Sequence, residues 1–309
     1  MGFYLTLVTC GSGAFVFELR WHLPSPKIGI MEYLMILIVI LLPYITLYYA
    51  STTDPGFITK ENHRNALRIY PFDCIIFHPR NTCRTCKFEK PARSKHCSLC
   101  KTCVAKMDHH CAWINNCVGM NNTRYFLVFI GANLLYLLYG FWIVSRLITG
   151  IVEATSSSRV DVDIPPDVGQ YQLWWDFAFY RETLGALLIL TGLLQLVVVG
   201  FLIFQLYLIY SGTTTNESMK WDDVKEAIKY KEIMIFEGGP EEAYAFPRED
   251  IILDLRQRRV VAIDEHGRAS EQIPIGSSGR LVKHIRELVN IYDRGWKNNY
   301  WDVWKPKKL

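Results

Sequence analysis

Residues 184–210 read LGALLILTGLLQLVVVGFLIFQLYLIY, a run of 27 residues without a charged side chain. A helix of about 20 apolar residues crosses the hydrocarbon core of a bilayer, so this stretch predicts a transmembrane helix rather than a buried helix of a soluble domain. Three further stretches have the same character: about Gly2 to Leu19, about Ile28 to Ala50 with Pro43 inside it, and about Tyr125 to Ile148. The sequence therefore predicts an α-helical multi-pass membrane protein with four transmembrane helices.

The distribution of Lys and Arg between these spans predicts their orientation. Residues 51–124 contain 12 Lys and Arg against 5 Asp and Glu, residues 151–183 contain 2 against 6, and the tail from residue 211 contains 17 Lys and Arg. Basic segments stay on the cytosolic side of a membrane, which predicts cytosolic termini and an acidic lumenal loop.

Four regions follow from this orientation. Residues 1–50 hold the first two spans with a short lumenal loop, and residues 51–124 form a cytosolic domain. Residues 125–210 hold the last two spans with the acidic loop, and residues 211–309 form a cytosolic tail, for which we predict helices at Trp221–Tyr230 and near Leu281–Tyr292. A net charge of +4 gives no indication of nucleic-acid binding.

Seven of the nine cysteines lie in residues 83–117. They follow the pattern Cys83-x2-Cys86-x9-His96-Cys97-x2-Cys100-x2-Cys103-x4-Asp108-His109-His110-Cys111-x5-Cys117. Cysteines two residues apart are typical of tetrahedral zinc sites, and two such sites use eight of these ten Cys and His residues. The remaining cysteine and histidine could support thiolate chemistry, with Asp108 orienting an imidazole. The alternative is a purely structural zinc-ribbon or RING-like module.

The segment from Cys83 to Phe126 resembles the cysteine-rich domain of the DHHC-type protein S-acyltransferases. The shared features are Lys90-Pro91-x-Arg93, the His96-Cys97 pair, Asp108-His109-His110-Cys111, Trp113, Asn115-Asn116-Cys117, Gly119 and Asn122-x3-Phe126. Further family signatures are Asp54-Pro55-Gly56, Thr214-Thr215-x-Glu217 and Gly295-x3-Asn299-Tyr300. Ala112 departs from the family pattern, which has proline after the nucleophile.

The resemblance implies a protein S-palmitoyltransferase that uses palmitoyl-CoA, or another long-chain acyl-CoA, as co-substrate. Cys111 would be the nucleophile, His109 its base, and Asp108 the carboxylate that holds His109. Two structural Zn²⁺ ions are implied. The first would be bound by Cys83, Cys86, His96 and Cys103, and the second by Cys97, Cys100, His110 and Cys117.

Further residues are candidates for binding acyl-CoA. Five cations close to the nucleophile in the sequence could contact the CoA phosphates, namely Lys87, Lys90, Arg93, Lys95 and Lys106. Of these five, we predict Lys90, Arg93 and Lys106 as ligands of acyl-CoA. Trp113 and Tyr136 are expected near the acyl chain, where Tyr136 would limit chain length. The remaining signature residues, namely Asp54, Thr214, Thr215, Glu217 and Asn299, are expected to be structural.

The expected partners are the lipid bilayer, acyl-CoA and cytosol-facing cysteines of membrane-associated proteins, and the sequence does not indicate an accessory subunit. The ending Lys305-Pro306-Lys307-Lys308-Leu309 resembles a retrieval signal and favours the endoplasmic reticulum membrane over the Golgi. Two other functions remain open: a zinc-stabilised membrane adaptor or ubiquitin-ligase-like module, and a membrane thioesterase that transfers the acyl group to water.

Overall fold

A computed structural model describes residues 1–21, 30–157, 169–237, 258–262 and 278–309. The described helices are α1 (Gly2–Trp21), α2 (Ile30–Thr52), α3 (His63–Ile69), α4 (Thr123–Ser157), α5 (Gln170–Tyr180), α6 (Glu182–Tyr210), α7 (Thr215–Lys229) and α8 (Trp296–Trp304). The described strands are β1 (Phe57–Ile58), β2 (Lys95–Cys97), β3 (Thr102–Val104), β4 (His109–Cys111), β5 (Asn116–Val118), β6 (Ile233–Glu237), β7 (Arg258–Ala262) and β8 (Ser278–Leu281).

Four of these helices are long and apolar enough to cross a membrane, as the sequence predicts. Their apolar segments are Gly2–Leu19, Ile30–Thr52, Thr123–Glu153 and Glu182–Tyr210. Many of their large apolar side chains point away from the protein, such as Leu193, Leu196 and Val197 on α6, which are all more than 60% exposed. Such a surface is stable in lipid and not in water.

The described chain divides into two compact units. The first comprises Met1–Thr52, Ala112–Asn115 and Tyr125–Gln205, and the second comprises Thr53–Cys111, Asn116–Arg124 and Leu206–Leu309. The boundaries of the four predicted regions and their sides of the membrane stay predictions.

The first unit, called the membrane-helix unit from here on, has its own apolar core. Side chains from α1, α2, α4 and α6 pack together there, including Phe15, Ile36, Val144 and Leu184. A polar contact joins two of the helices, since the Tyr4 hydroxyl donates to Oδ1 of Asn133 at 2.8 Å. Helix α5, within the segment predicted to be an acidic loop, was not foreseen.

The second unit is built from short strands around its own core. Strand β3 lies between β1 and β2, β4 pairs with β5, and β6 lies between β7 and β8, all antiparallel. The core side chains include Ile58, Tyr70, Phe77, Val224 and Tyr292.

The two helices predicted for the tail have different outcomes. The helix expected at Trp221–Tyr230 is confirmed and begins earlier, at Thr215, where Thr214 and Glu217 form a capping box. The helix expected near Leu281–Tyr292 is wrong: β8 ends at Leu281, and only a 3-10 turn at Ile285–Glu287 follows.

Candidate active site

The β2–β3 hairpin brings together the first predicted group of metal ligands. His96 pairs directly with Cys103 across the hairpin, so both side chains lie on one face. The Nδ1 atom of His96 lies 3.4 Å from Sγ of Cys86 and 3.9 Å from Sγ of Cys103. With Cys83, these residues form a group whose ligand atoms all lie within 4.8 Å of one another. That spacing fits one metal ion.

The second group spans two hairpins. His110 pairs directly with Cys117 across β4 and β5. The Nδ1 atom of His110 lies 3.6, 3.5 and 3.5 Å from the sulfurs of Cys97, Cys100 and Cys117. Tetrahedral Zn²⁺ with bonds of about 2.1 Å to nitrogen and about 2.3 Å to sulfur places such atoms about 3.6 Å apart. These four residues therefore also have the geometry of a zinc site.

Strand alternation explains why the two groups interleave in the sequence. His96 and Cys97 are neighbours on β2, and successive side chains of a strand point to opposite faces. Consequently His96 joins the first group and Cys97 joins the second. Backbone N–H groups then support the sulfurs, because the N–H of Cys86 and of Cys100 lie 3.4 Å from Sγ of Cys83 and Cys97.

The same alternation on β4 separates two kinds of side chain. His110 faces the metal group, whereas His109 and Cys111 share the opposite face of the strand. Cys111 is 5% exposed. The two residues that the metal groups leave over are therefore the two that share this face.

Asp108 holds His109 in place. Oδ2 of Asp108 lies 2.6 Å from Nδ1 of His109, and the hydroxyl of Thr215 donates to the same oxygen at 2.9 Å. The backbone N–H of Thr215 donates to Oδ1. Thr215 is the first residue of α7, so the carboxylate also lies at the positive end of a helix dipole.

The surroundings of His109 favour its charged form. Burial by itself would lower the pKa of this imidazole, but the hydrogen bonds with Asp108 and Cys111 outweigh burial and raise the pKa to about 9. An imidazolium in contact with a cysteine stabilises the thiolate. The site can therefore hold a nucleophilic sulfur at neutral pH.

The structure corrects the prediction that Arg93 binds CoA. Arg93 is 2% exposed, and its Nε and Nη2 atoms each lie 2.6 Å from a carboxylate oxygen of Glu217. Its guanidinium stacks on the rings of Tyr70 and Tyr292 at 5.1 and 4.7 Å. Three of its five N–H groups donate inside the protein, because the Nη2 atom also donates to the carbonyl of Gly212.

Lys106 requires a similar correction. Its Nζ atom donates to Oδ2 of Asp302 at 2.8 Å, and its side chain is only 12% exposed. Burial lowers its pKa, which the attraction of Asp302 partly offsets. Lys106 therefore holds the tail to the cysteine-rich segment and does not face solvent.

Lys90, by contrast, lines an open cavity of about 350 Å³. Lys95 and Lys220 line the same cavity, together with Phe77 and Asn216. Lys220 already donates to the carbonyl of Ile76 at 3.0 Å. Of the five candidate cations, Lys90 and Lys95 therefore are the two that line this cavity, and both remain candidates for binding phosphate.

The two aromatic candidates lie in the membrane-helix unit. Trp113 is half exposed and packs against the rings of Phe3 and Tyr4, with centroids 6.0 and 6.4 Å away. Tyr136 lines a narrow apolar cavity of about 40 Å³, and its hydroxyl lies 2.9 Å from the hydroxyl of Ser12. This hydrogen bond joins α1 to α4 at the cavity, which α2 and α6 also line.

Comparison with known proteins agrees with this geometry. The sequence model of the DHHC palmitoyltransferase family matches residues 76–222. The chain is 35% identical to palmitoyltransferase swf1 of Schizosaccharomyces pombe, over 98% of this chain and 74% of that protein. This chain belongs to the DHHC palmitoyltransferase family.

Other family members are similar over different shares of their length. Palmitoyltransferase SWF1 of Neurospora crassa is 35% identical over 87% of this chain and 67% of its own. Palmitoyltransferase ZDHHC4 of Mus musculus is 37% identical over 59% of this chain and 57% of its own. The similarity to fungal DHHC palmitoyltransferases thus covers the predicted spans and the tail as well as the cysteine-rich segment.

Sequence reasoning missed the part that Thr215 plays in this DHHC site. We expected Thr215 to be structural, and the structure adds that both its backbone N–H and its hydroxyl donate to the carboxylate next to His109. The available signal was the acidic residue of the Asp-His-His-Cys run, which needs donors when buried.

Proposed function

We propose that this chain, a protein S-palmitoyltransferase of the DHHC family, carries the acyl group on Cys111. The observation that supports this most is the placement of His109 and Cys111 on the face of β4 opposite the metal group. A cysteine that has no share in metal binding and contacts an Asp-bound histidine is available as a nucleophile.

The proposed reaction has two thioester exchanges. The Cys111 thiolate attacks the carbonyl carbon of a long-chain acyl-CoA, and the CoA thiolate leaves as the Cys111 thioester forms. A thiolate of a substrate protein then attacks that thioester, and Cys111 leaves as a thiolate. The imidazole of His109 takes the proton when Cys111 ionises and can give it to the departing CoA thiolate. It can then take the proton of the incoming substrate thiol, while Asp108 stabilises the imidazolium.

Zinc would hold this geometry together, without a share in the bond changes. Cys83, Cys86, His96 and Cys103 would bind one ion, and Cys97, Cys100, His110 and Cys117 the other. Structural Zn²⁺ crosslinks short strands that could not fold alone. Here it would fix β4 and thereby orient His109 toward Cys111.

Each unit has a cavity of its own whose lining is chemically suited to one part of acyl-CoA. Lys90 and Lys95 line the cavity of the second unit and are suited to the CoA phosphates. The apolar cavity beside Tyr136 is suited to the end of an acyl chain, because each buried CH₂ contributes about 0.8 kcal/mol. Trp113 would contact the chain or the bilayer.

Protein substrates would be membrane-associated proteins with cysteines on the cytosolic side. This follows from the excess of Lys and Arg in residues 51–124 and in the tail, which also makes both termini cytosolic. We propose the endoplasmic reticulum membrane as the location, with the Golgi as the alternative. A retrieval receptor would have to compete for Lys307, whose Nζ atom donates to the carbonyl of Ile69 at 2.9 Å.

Self-acylation tests the proposed activity. Purified protein is incubated with radiolabelled palmitoyl-CoA, and hydroxylamine-sensitive label on the protein is measured with and without an acceptor thiol. We expect Cys111→Ser to lose the label and Cys10→Ser, which changes a cysteine outside the cysteine-rich segment, to keep it. Label on Cys111→Ser, or no label on the unchanged protein, would contradict the proposal, and free palmitate as the main product despite an acceptor would indicate a thioesterase.

A further inference from the structure

Helix α8 exposes an unusually large aromatic surface. Trp296, Tyr300 and Trp301 are 57%, 43% and 53% exposed, while Asn299, Asp302 and Val303 of the same helix are buried. On a helix, Trp296 and Tyr300 lie one turn apart, and the rings of Tyr300 and Trp301 pack edge to face at 5.6 Å, so the three rings line the exposed side of α8. Such a face requires a covering partner.

Two hydrogen bonds place this helix at the ends of membrane spans. Nδ2 of Asn299 donates at 3.1 Å to the carbonyl of Tyr210, the last residue of α6. At the other end of α8, Nη1 of Arg124 donates at 3.0 Å to the carbonyl of Trp304. Arg124 is the second residue of α4. The aromatic helix is thus bonded to the end of one span and the beginning of another.

The residues after α8 lie beside the segment that follows α2. A methyl group placed on Gly56 would lie 3.3 Å from Cδ1 of Leu309, and Gly56 follows shortly after α2 ends at Thr52. Residues 296–309 therefore contact segments at the ends of three spans. The membrane–water interface lies where such apolar helices end.

The cations of the same segment flank the aromatic face. The ammonium groups of Lys297 and Lys305 lie 5.6 and 5.0 Å from the ring centroids of Trp296 and Trp301. Lys308 is exposed as well. The acidic residue of the segment, Asp302, is already bound by Lys106 and Arg294, so these lysines meet little negative charge from α8 itself.

We infer that α8 is an interfacial anchor, whose aromatic face rests among lipid headgroups of the leaflet where α6 ends and whose lysines bind acidic phospholipids. Trp and Tyr prefer this zone because their rings are apolar with one polar edge, and Lys near it is attracted to anionic headgroups. The inference goes beyond the transfer chemistry at Cys111 and does not depend on it.

Photocrosslinking tests the contact directly. The full chain, with p-benzoylphenylalanine in place of Trp296 or Trp301, is reconstituted into phosphatidylcholine vesicles that contain about one third phosphatidylserine. Tyr230, which follows α7, is the matched control position: it is 60% exposed, and its backbone N–H donates to carbonyls of α7. After irradiation, lipid adducts are quantified by mass spectrometry.

We expect lipid adducts at positions 296 and 301 at least ten times more abundant than at 230. Crosslinks to a second copy or another protein instead of lipid would overturn the inference, as would equal labelling at 230.

The lysines are tested by the variant Lys297→Gln/Lys305→Gln/Lys308→Gln. In the unchanged protein, phosphatidylserine should raise the adduct yield above that in pure phosphatidylcholine. The triple variant should lose most of this increase, whereas the control variant Lys225→Gln/Lys229→Gln/Lys231→Gln should keep it. Loss of the increase in both variants, or in neither, would contradict binding of acidic lipid by α8.

Discussion

Arg93 and Glu217 form a bidentate ion pair, with both N···O distances at 2.6 Å, and both side chains are almost fully buried. The pair joins the cysteine-rich segment to the first turn of α7, whose first residue binds Asp108. Arg93, for which the sequence predicts a role in binding substrate phosphate, thus supports the geometry of the candidate catalytic residues from within the core.

Removing one partner of this pair should destabilise the protein. Glu217→Gln leaves the Arg93 charge buried without a counter-charge, and breaking a buried pair in this way costs about 3–5 kcal/mol. The measurement is thermal unfolding of the purified protein in detergent. Arg93→Met/Glu217→Leu, which removes both charges, should be less destabilised than Glu217→Gln. An unfolding temperature of Glu217→Gln equal to that of the unchanged protein would show that the pair contributes nothing.

Neighbouring histidines should differ in their effect on metal content. We expect two zinc ions per chain in the unchanged protein and in His109→Ala, and about one in His110→Ala, because His110 belongs to a metal group and His109 faces away. Metal analysis by mass spectrometry gives the stoichiometry. If His109→Ala loses zinc and His110→Ala retains it, the two roles must be exchanged.

His109→Ala should slow self-acylation about 10²–10⁴-fold, the usual contribution of a general base. In the unchanged protein the imidazolium stabilises the thiolate near neutral pH, so its rate should change little there. Without it, Cys111 ionises only as the pH rises toward the pKa of an ordinary thiol, and the rate should climb about tenfold per pH unit below that value. Rate profiles from pH 6 to 9 measure this. Parallel profiles for the two proteins would exclude His109 as the base.

Thr215 offers a test of positioning. Thr215→Val removes the hydroxyl that donates to Asp108 but keeps the backbone N–H donor. We expect a lower self-acylation rate with unchanged zinc content, and recovery in Thr215→Ser, which restores the hydroxyl. Single-turnover acylation, quenched at successive times, gives the rates. A slow Thr215→Ser variant would mean that the methyl group, through packing, is what matters.

Tyr136→Ala should shift acyl-chain preference toward longer chains. The change enlarges the narrow cavity and removes the hydrogen bond between two of its lining residues, Tyr136 and Ser12. Competition between C16 and C20 acyl-CoA measures the preference. Ser12→Ala, which loses the hydrogen bond and keeps the ring, is the control and should shift it less. An unchanged ratio in Tyr136→Ala would remove this residue from the acyl site.

The spans and the metal groups could be predicted because their signals are local. Apolar runs such as residues 184–210 and two-residue Cys spacings such as Cys83-x2-Cys86 carry their meaning within one segment. The roles of Arg93 and Thr215 could not, since each depends on a partner more than 100 residues away in sequence. Arg93 and Lys90 are both basic, and their roles differ because Arg93 is buried and Lys90 lines an open cavity. A single sequence does not show this difference in burial.

The alternation along β4 has a consequence for how the enzyme could be inhibited. His110 and the pair His109–Cys111 lie on opposite faces of one three-residue strand. A metal ion bound by His110 would therefore fix the strand and, with it, the positions of His109 and Cys111. A compound that withdraws zinc from the Cys97, Cys100, His110 and Cys117 group would disable Cys111 without occupying its pocket. Zinc deficiency in a cell would then act as a non-competitive inhibitor, whose effect no concentration of acyl donor could reverse.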